Sequence, residues 1–175
     1  MNRIGNLVLA KDRELFFLVN HCSENKYLKL MMLLITRLGG MYFNSALIIL
    51  FSIYKSINNP YLSQKLFLTL ISSHLIVHIL KRKINRPRPY FTFENIAARS
   101  NPFEDYSFPS GHTTAAFSTA LILSSAFSQI SLIVFAAAFL IAFSRVYLGV
   151  HYPSDVFVGI IIALLNYILI INLFF

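Results

Sequence analysis

The 175-residue sequence has one cysteine, no tryptophan and only seven acidic residues. A lone Cys22 excludes an intrachain disulfide and any thiolate metal cluster, and it leaves the redox compartment open. Charged residues make up 13% of the chain, against roughly 25% in an ordinary soluble domain. Hydrophobic residues reach 57%, with 17 Phe and nine Tyr, and the mean hydropathy is +0.65. A chain this short has too little interior to hide that much apolar surface, so lipid must be the solvent for much of it. Disordered chains, fibrous repeats and ordinary soluble globules are excluded. The length predicts a single integral membrane domain over 1–175, with no internal repeat or linker. No removable signal peptide is expected, because the first apolar run is short and leads straight into Lys11-Asp12-Arg13-Glu14.

What the chain does have is positive charge, a formal net of +8. The bases crowd into short polar stretches beside apolar runs, a placement suited to anionic headgroups or a phosphorylated lipid and not to nucleic acid.

The hydropathy pattern predicts an all-α polytopic bundle of about five spans plus an N-terminal interfacial helix. Residues 4–20 hold two short apolar patches around the charged quartet; four charges in mid-span are costly in hydrocarbon, so an interfacial helix is expected there. A first crossing covers about 29–55, interrupted by Arg37, which either snorkels or faces the bundle interior, and by Gly39-Gly40, which permit a kink or close packing. A second covers 62–82 and ends in Lys81, Arg82, Lys83, Arg86 and Arg88, where Pro87 and Pro89 stop the helix. The stretch from Thr113 to Phe143 lacks charge and would be about 46 Å long as one helix, so a break at Ser128-Gln129 is expected, giving spans near 111–127 and 130–148. A turn at 149–153 and a last span over 154–174 complete the chain. Threaded this way, every acid and every base except Lys55 and Lys65 falls on or near one face.

Three clusters converge on that face. Lys81 and Arg88-Pro89 can neutralise phosphoryl oxygens, although this stretch alone reads more readily as an interfacial basic belt. Pro109-Ser110-Gly111-His112 precedes a helix: Ser110 suits the N-cap, Gly111 admits an anion to the first free amides, and His112 stands beside it to give a proton. Ser144-Arg145, His151 and Asp155 form the third. Pro153 at the first helical position puts Asp155 in the first turn, near the His151 ring, where a carboxylate fixes the tautomer and leaves the other nitrogen nucleophilic. An acid there is also an ordinary helix cap. Together these groups make an inventory for phosphoryl transfer.

The three motifs, spread over 60–160, resemble the signature of the type 2 phosphatidic acid phosphatase superfamily, with no motif residue missing. The resemblance implies a bundle with an acid-phosphatase/vanadium-haloperoxidase-like core. It implies that His151 attacks phosphorus to form a phosphohistidine, that Asp155 orients it, and that His112 protonates the leaving group. Lys81, Arg88, Ser110, the Gly111 amide and Arg145 would hold the phosphoryl oxygens, with no metal or other cofactor required. The expected substrate is a lipid phosphate, with undecaprenyl diphosphate first, then phosphatidylglycerophosphate, then phosphatidate. A transporter or scaffold would leave the His–Asp arrangement without a use.

The charge bias would place the motif face in the cytoplasm. Family resemblance places it outside a bacterial inner membrane, and we expect the outward pocket because three of the bases are retained for catalysis. The aromatic stretch 90–108 either lines the entrance or anchors the interface. His74 and His78 are expected to be buried in packing or hydrogen bonds, not to hold a metal, and Asn44, Asn166 and Asn172 to link helices. Oligomeric state is not legible in the sequence.

Overall fold

The computed structural model describes residues 3–22, 25–54, 59–93, 96 and 106–175. These form helices α1 (Arg3–Asn20), α2 (Lys26–Arg37), α3 (Met41–Ile53), α4 (Leu62–Ile84), the single turn α5 (Pro89–Thr92), α6 (Gly111–Ala126), α7 (Ser131–Tyr147) and α8 (Pro153–Phe174). An isolated β-bridge pairs Pro87 with Tyr106 and closes the base of the polar loop.

Local chemistry sets most boundaries. Asn25 caps α2, its side chain accepting from the amides of Tyr27 and Leu28. Asn85 ends α4 in the left-handed conformation (φ 50°), which Asn tolerates because its short polar side chain bonds locally. Ser110 caps α6 as expected, accepting from Thr113 N. The break between α6 and α7 falls at Phe127, followed by a 3-10 turn over Ser128–Ile130, and Pro153 opens α8.

The expected first crossing is two helices, α2 and α3, bent by 47° at the glycine pair. Both proposed roles of that pair are realised. A Cβ on Gly39 would lie 2.7 Å from Ile141 and 3.0 Å from the His112 carbonyl oxygen, so the break also packs tightly on the start of α6. Helix α4, the stretch Ser128–Tyr147 and α8 are each long and apolar enough to span, and the bent pair makes a fourth span if taken as one. Helix α6 has 16 residues, about 24 Å against a ~30 Å hydrocarbon core, so the count of five rests on a helix shorter than the core is thick.

Helix α6 is the centre of the bundle, packed on α4, α7 and α8. Its small residues Ala116 and Ala120 meet Ala138, Ala142 and Ala163 around Phe117 and Ile141, the close backbone approach that membrane helices use in place of a hydrophobic driving force. Polar side chains link helices inside the bundle. Thr119 donates to Asn44 at 2.6 Å, and the Asn166 amide donates to Thr69 O, Ser72 and Ser73. Asn172 instead donates to Ile168 O of its own helix and is exposed, so it links nothing. Leucines and isoleucines such as Leu132 and Ile133 point outward from α7 and are exposed, the surface a lipid solvent covers. His74 and His78 correct the expectation of burial: both are exposed on α4, their rings 6.5 Å apart. The fold is a multi-pass membrane helical bundle.

Candidate active site

At one end of the bundle the end of α4, the polar loop, the start of α6, the end of α7 and the start of α8 meet. The 148–152 turn carries His151, which is 1% exposed. Its Nδ1 faces Asp155 Oδ2 at 3.5 Å, one helical turn on. The same Oδ2 accepts from the Tyr152 amide at 2.8 Å, so Asp155 is both the helix cap and the neighbour of the imidazole. The Ser110 amide donates to the Asp155 carbonyl at 3.0 Å, joining the second motif to the third. Arg88, 2% exposed, donates from Nη1 to Val150 O beside His151. Arg145, also buried, donates from Nη1 to the Thr36 hydroxyl at 2.7 Å.

The charges of Lys81, Arg88 and Arg145 act on both His112 and His151, and His151 also acts on His112. Burial above all, then the charges of Arg145, Arg88 and Lys81, holds His151 well below the ordinary histidine range, a hydrogen bond at the Ser107 backbone working the other way. His151 is therefore neutral at physiological pH, with a lone pair available on its ring. Among the described residues a Cβ on Gly111 would meet only Val77, at 3.6 Å, and nothing crowds that position. His112, half-buried, lies next to it, 3.8 Å from where a Cβ on Gly40 would sit.

All eight residues singled out in the sequence thus gather at one end of the bundle. The structure adds four that sequence reasoning missed. Arg86 Nη1 donates to Asp155 Oδ1 at 2.7 Å and to Ser154 Oγ at 2.7 Å, while its Nη2 donates to Asp12 Oδ2 at 2.7 Å. Ser107, fully buried, lies between the backbone of Arg86 and the side chain of Asp155. The signals were present. Arg86-Pro87-Arg88-Pro89 alternates with prolines, which favour extended backbone, so both arginines fall on one side. Asp12, Phe16 and Asn20 follow one another at four-residue spacing and are all buried. That stripe docks α1 on the bundle, Asn20 donating to Tyr147 O. Helix α1 therefore lies against protein on the face that carries Asp12, while Lys11, Arg13 and Glu14 are exposed.

Of the aromatic loop, Phe103 lies outside the described residues. Phe93 packs against Phe16, Phe17 and Tyr152, so it helps seat α1. Phe91 and Tyr106 are exposed.

A sequence model of the PAP2 superfamily matches residues 64–175. Undecaprenyl-diphosphatase of Sulfolobus acidocaldarius is 32% identical over 164 residues, 89% of this chain and 74% of that protein. The crystal structure of Aquifex aeolicus LpxE superposes with a TM-score of 0.82 at 34% identity, covering 91% of this chain and 93% of that one. The PAP2-type phosphatidylglycerolphosphate phosphatase of Bacillus subtilis gives 0.77 at 27% identity, covering 95% and 86%. The chain spans less than half the length of the lipid A 1-phosphatases of Rhizobium etli and Rhizobium johnstonii that it matches, 43% and 41%.

Proposed function

The chain belongs to the PAP2 superfamily, and from that premise we propose that it is a membrane phosphatase, hydrolysing a lipid-linked phosphate through a phosphohistidine. The observation that carries the reading is a neutral, buried His151 set 3.5 Å from Asp155 among three cations, at the end of a bundle with lipid-facing sides. His151 attacks phosphorus with the lone pair of its free nitrogen, a P–N bond forms, and the P–O bond to the lipid breaks. Asp155 faces the positive charge that develops on the ring, and His112 gives the leaving oxygen its proton. Water then attacks phosphorus and gives a proton to His112, the P–N bond breaks with its electron pair returning to the His151 ring, and phosphate is released. Lys81, Arg88 and Arg145, with Ser110 and the Gly111 amide, offset the negative charge spread over the phosphoryl oxygens.

Undecaprenyl diphosphate is the first choice of substrate, in keeping with the length over which the Sulfolobus relative aligns. Phosphatidylglycerophosphate is the second, favoured by the Bacillus structure. Phosphatidate is the third. The whole chain acts as one domain in a bacterial inner membrane, with its site facing outward among anionic headgroups. The test is phosphate release in detergent with EDTA present, on the three lipids at matched surface concentration, with His151→Ala as blank. Equal, negligible release by wild type and variant, both folded, would defeat the proposal.

A further inference from the structure

Asp155 has two oxygens and, besides its contact with Ser107, three demands on them. Oδ2 caps α8 and faces His151; Oδ1 is held by Arg86. Arg86 in turn is not free to choose its position. Its guanidinium lies 3.8 Å above the Tyr152 ring, Nη1 also bonds Ser154 Oγ, and Nη2 is held by Asp12 on α1. Asp12 uses both oxygens at this junction: Oδ1 accepts from Ser154 N at 2.8 Å, and Oδ2 accepts from Ser154 Oγ at 2.6 Å as well as from Arg86. One cation is therefore shared between two carboxylates, and all three side chains are buried or nearly so, at 6% exposure for Asp12, 17% for Arg86 and none for Asp155.

We infer that Asp12 and Arg86 are positioning residues for the His151–Asp155 pair, and that α1 is through them a working part of the site. This rests on the function proposed above for that site. Away from water, a guanidinium bound to one carboxylate alone offsets its charge more fully than one divided between two. Sharing with Asp12 leaves Asp155 enough negative charge to stabilise the positive ring of His151 as it takes up phosphorus. It also fixes Oδ1, so that Oδ2 cannot rotate away from the imidazole. Without the Asp12 charge, Arg86 swings fully onto Asp155, and the support reaching His151 weakens.

The test uses the full chain in detergent. Asp12→Asn keeps the shape at position 12 and removes its charge. With a short-chain phosphatidate in mixed micelles as probe, kcat should fall about tenfold or more while KM stays within about twofold, the pattern of a group felt in the transition state. Nitrogen-15 NMR of the histidine rings, which needs no turnover, should show His151 moving from one tautomer to a mixture. Arg86→Lys should reproduce the kcat loss, because an ammonium cannot fork between two carboxylates. Unchanged kcat and an unchanged His151 ring signal in Asp12→Asn would overturn the inference. So would a loss confined to KM with the ring signal intact. If Asp12→Asn fails to fold, Ser154→Ala, which removes one bond from each of Asp12 and Arg86 without changing charge, is judged on the same two readouts. A silent wild type whose His151 signal still responds to Asp12→Asn would defeat the phosphatase reading and leave the positioning intact.

Discussion

Gly159 and Ser110 meet backbone to backbone: a Cβ on Gly159 would stand 2.9 Å from the Ser110 carbonyl oxygen and 3.3 Å from the Thr113 Cβ. One turn earlier the Ser110 amide donates to Asp155 O. The cap of α6 and the first turn of α8 are thus a single unit, and its spacing is set by the missing side chain. Gly159→Ala must push the Ser110–His112 segment away from Asp155. We expect a loss of about 1–3 kcal/mol of stability, the usual cost of overpacking, and a fall in kcat. Thermal denaturation and phosphate release check both. A variant as stable and active as wild type would show that this contact positions nothing.

Arg145 reaches across to α2 through Thr36, at 2.7 Å between buried partners. Thr36→Val keeps the volume and removes the hydroxyl to which Arg145 Nη1 donates. A buried donor without its acceptor costs about 1–3 kcal/mol, and the released guanidinium should bind phosphate less well. KM, or the inhibition constant for inorganic phosphate, should rise several-fold with a smaller change in kcat. The reverse pattern would place Arg145 in the chemical step instead of in binding.

The pH dependence of stability follows from His151. Its folded value lies below the ordinary 6.5 because burial and three cations oppose a proton. Between those two values the unfolded chain binds more protons than the folded one, so folding free energy is retained above pH 6.5 and lost as the pH falls below it. The slope from this one group is at most about 1.4 kcal/mol per pH unit. Melting temperature should decline from pH 6.5 downward, and His151→Gln should flatten the decline. An identical profile in that variant would assign it to other groups.

Topology is accessible through the native Cys22, the single cysteine of the chain and an exposed one. It follows α1 directly, close to where Asn20 bonds the end of α7. A membrane-impermeant maleimide should label it in intact spheroplasts if the site faces outward. Labelling only after lysis would turn the site to the cytoplasm.

His74 and His78 are both exposed on α4. Replacing both with Leu should change phosphate release by less than twofold, and EDTA should have no different effect on the variant. A large loss would give the pair a role that their exposure does not suggest.

Much of this was legible in the sequence because it is local. Hydropathy and helix length placed α4, α7 and α8, and the charge-free run from Thr113 to Phe143 had to break near Ser128. Ser110, Pro153 and Asp155 announce helix starts by their own side-chain chemistry, and Pro153 at the start of α8 puts Asp155 in the first turn, within reach of the ring of His151 just before it. The bend at Gly39-Gly40 was readable for the same reason.

The tertiary structure decided what depends on which face of a helix finds protein and which finds lipid. His74 and His78 lie on an apolar helix, and nothing in their spacing said that they face outward. Asn44 and Asn172 are alike in sequence, yet one reaches Thr119 on another helix and the other only its own carbonyl. Asp12 sits among three exposed charges, and it is buried only because Arg86 and Ser154, distant in the chain, present donors where α1 docks. Motif residues are fixed by short-range chemistry, so the sequence determined them. The groups that hold them in place are fixed by long-range packing, where the cost of an unpaired buried charge selects the partner, and only the folded chain shows it.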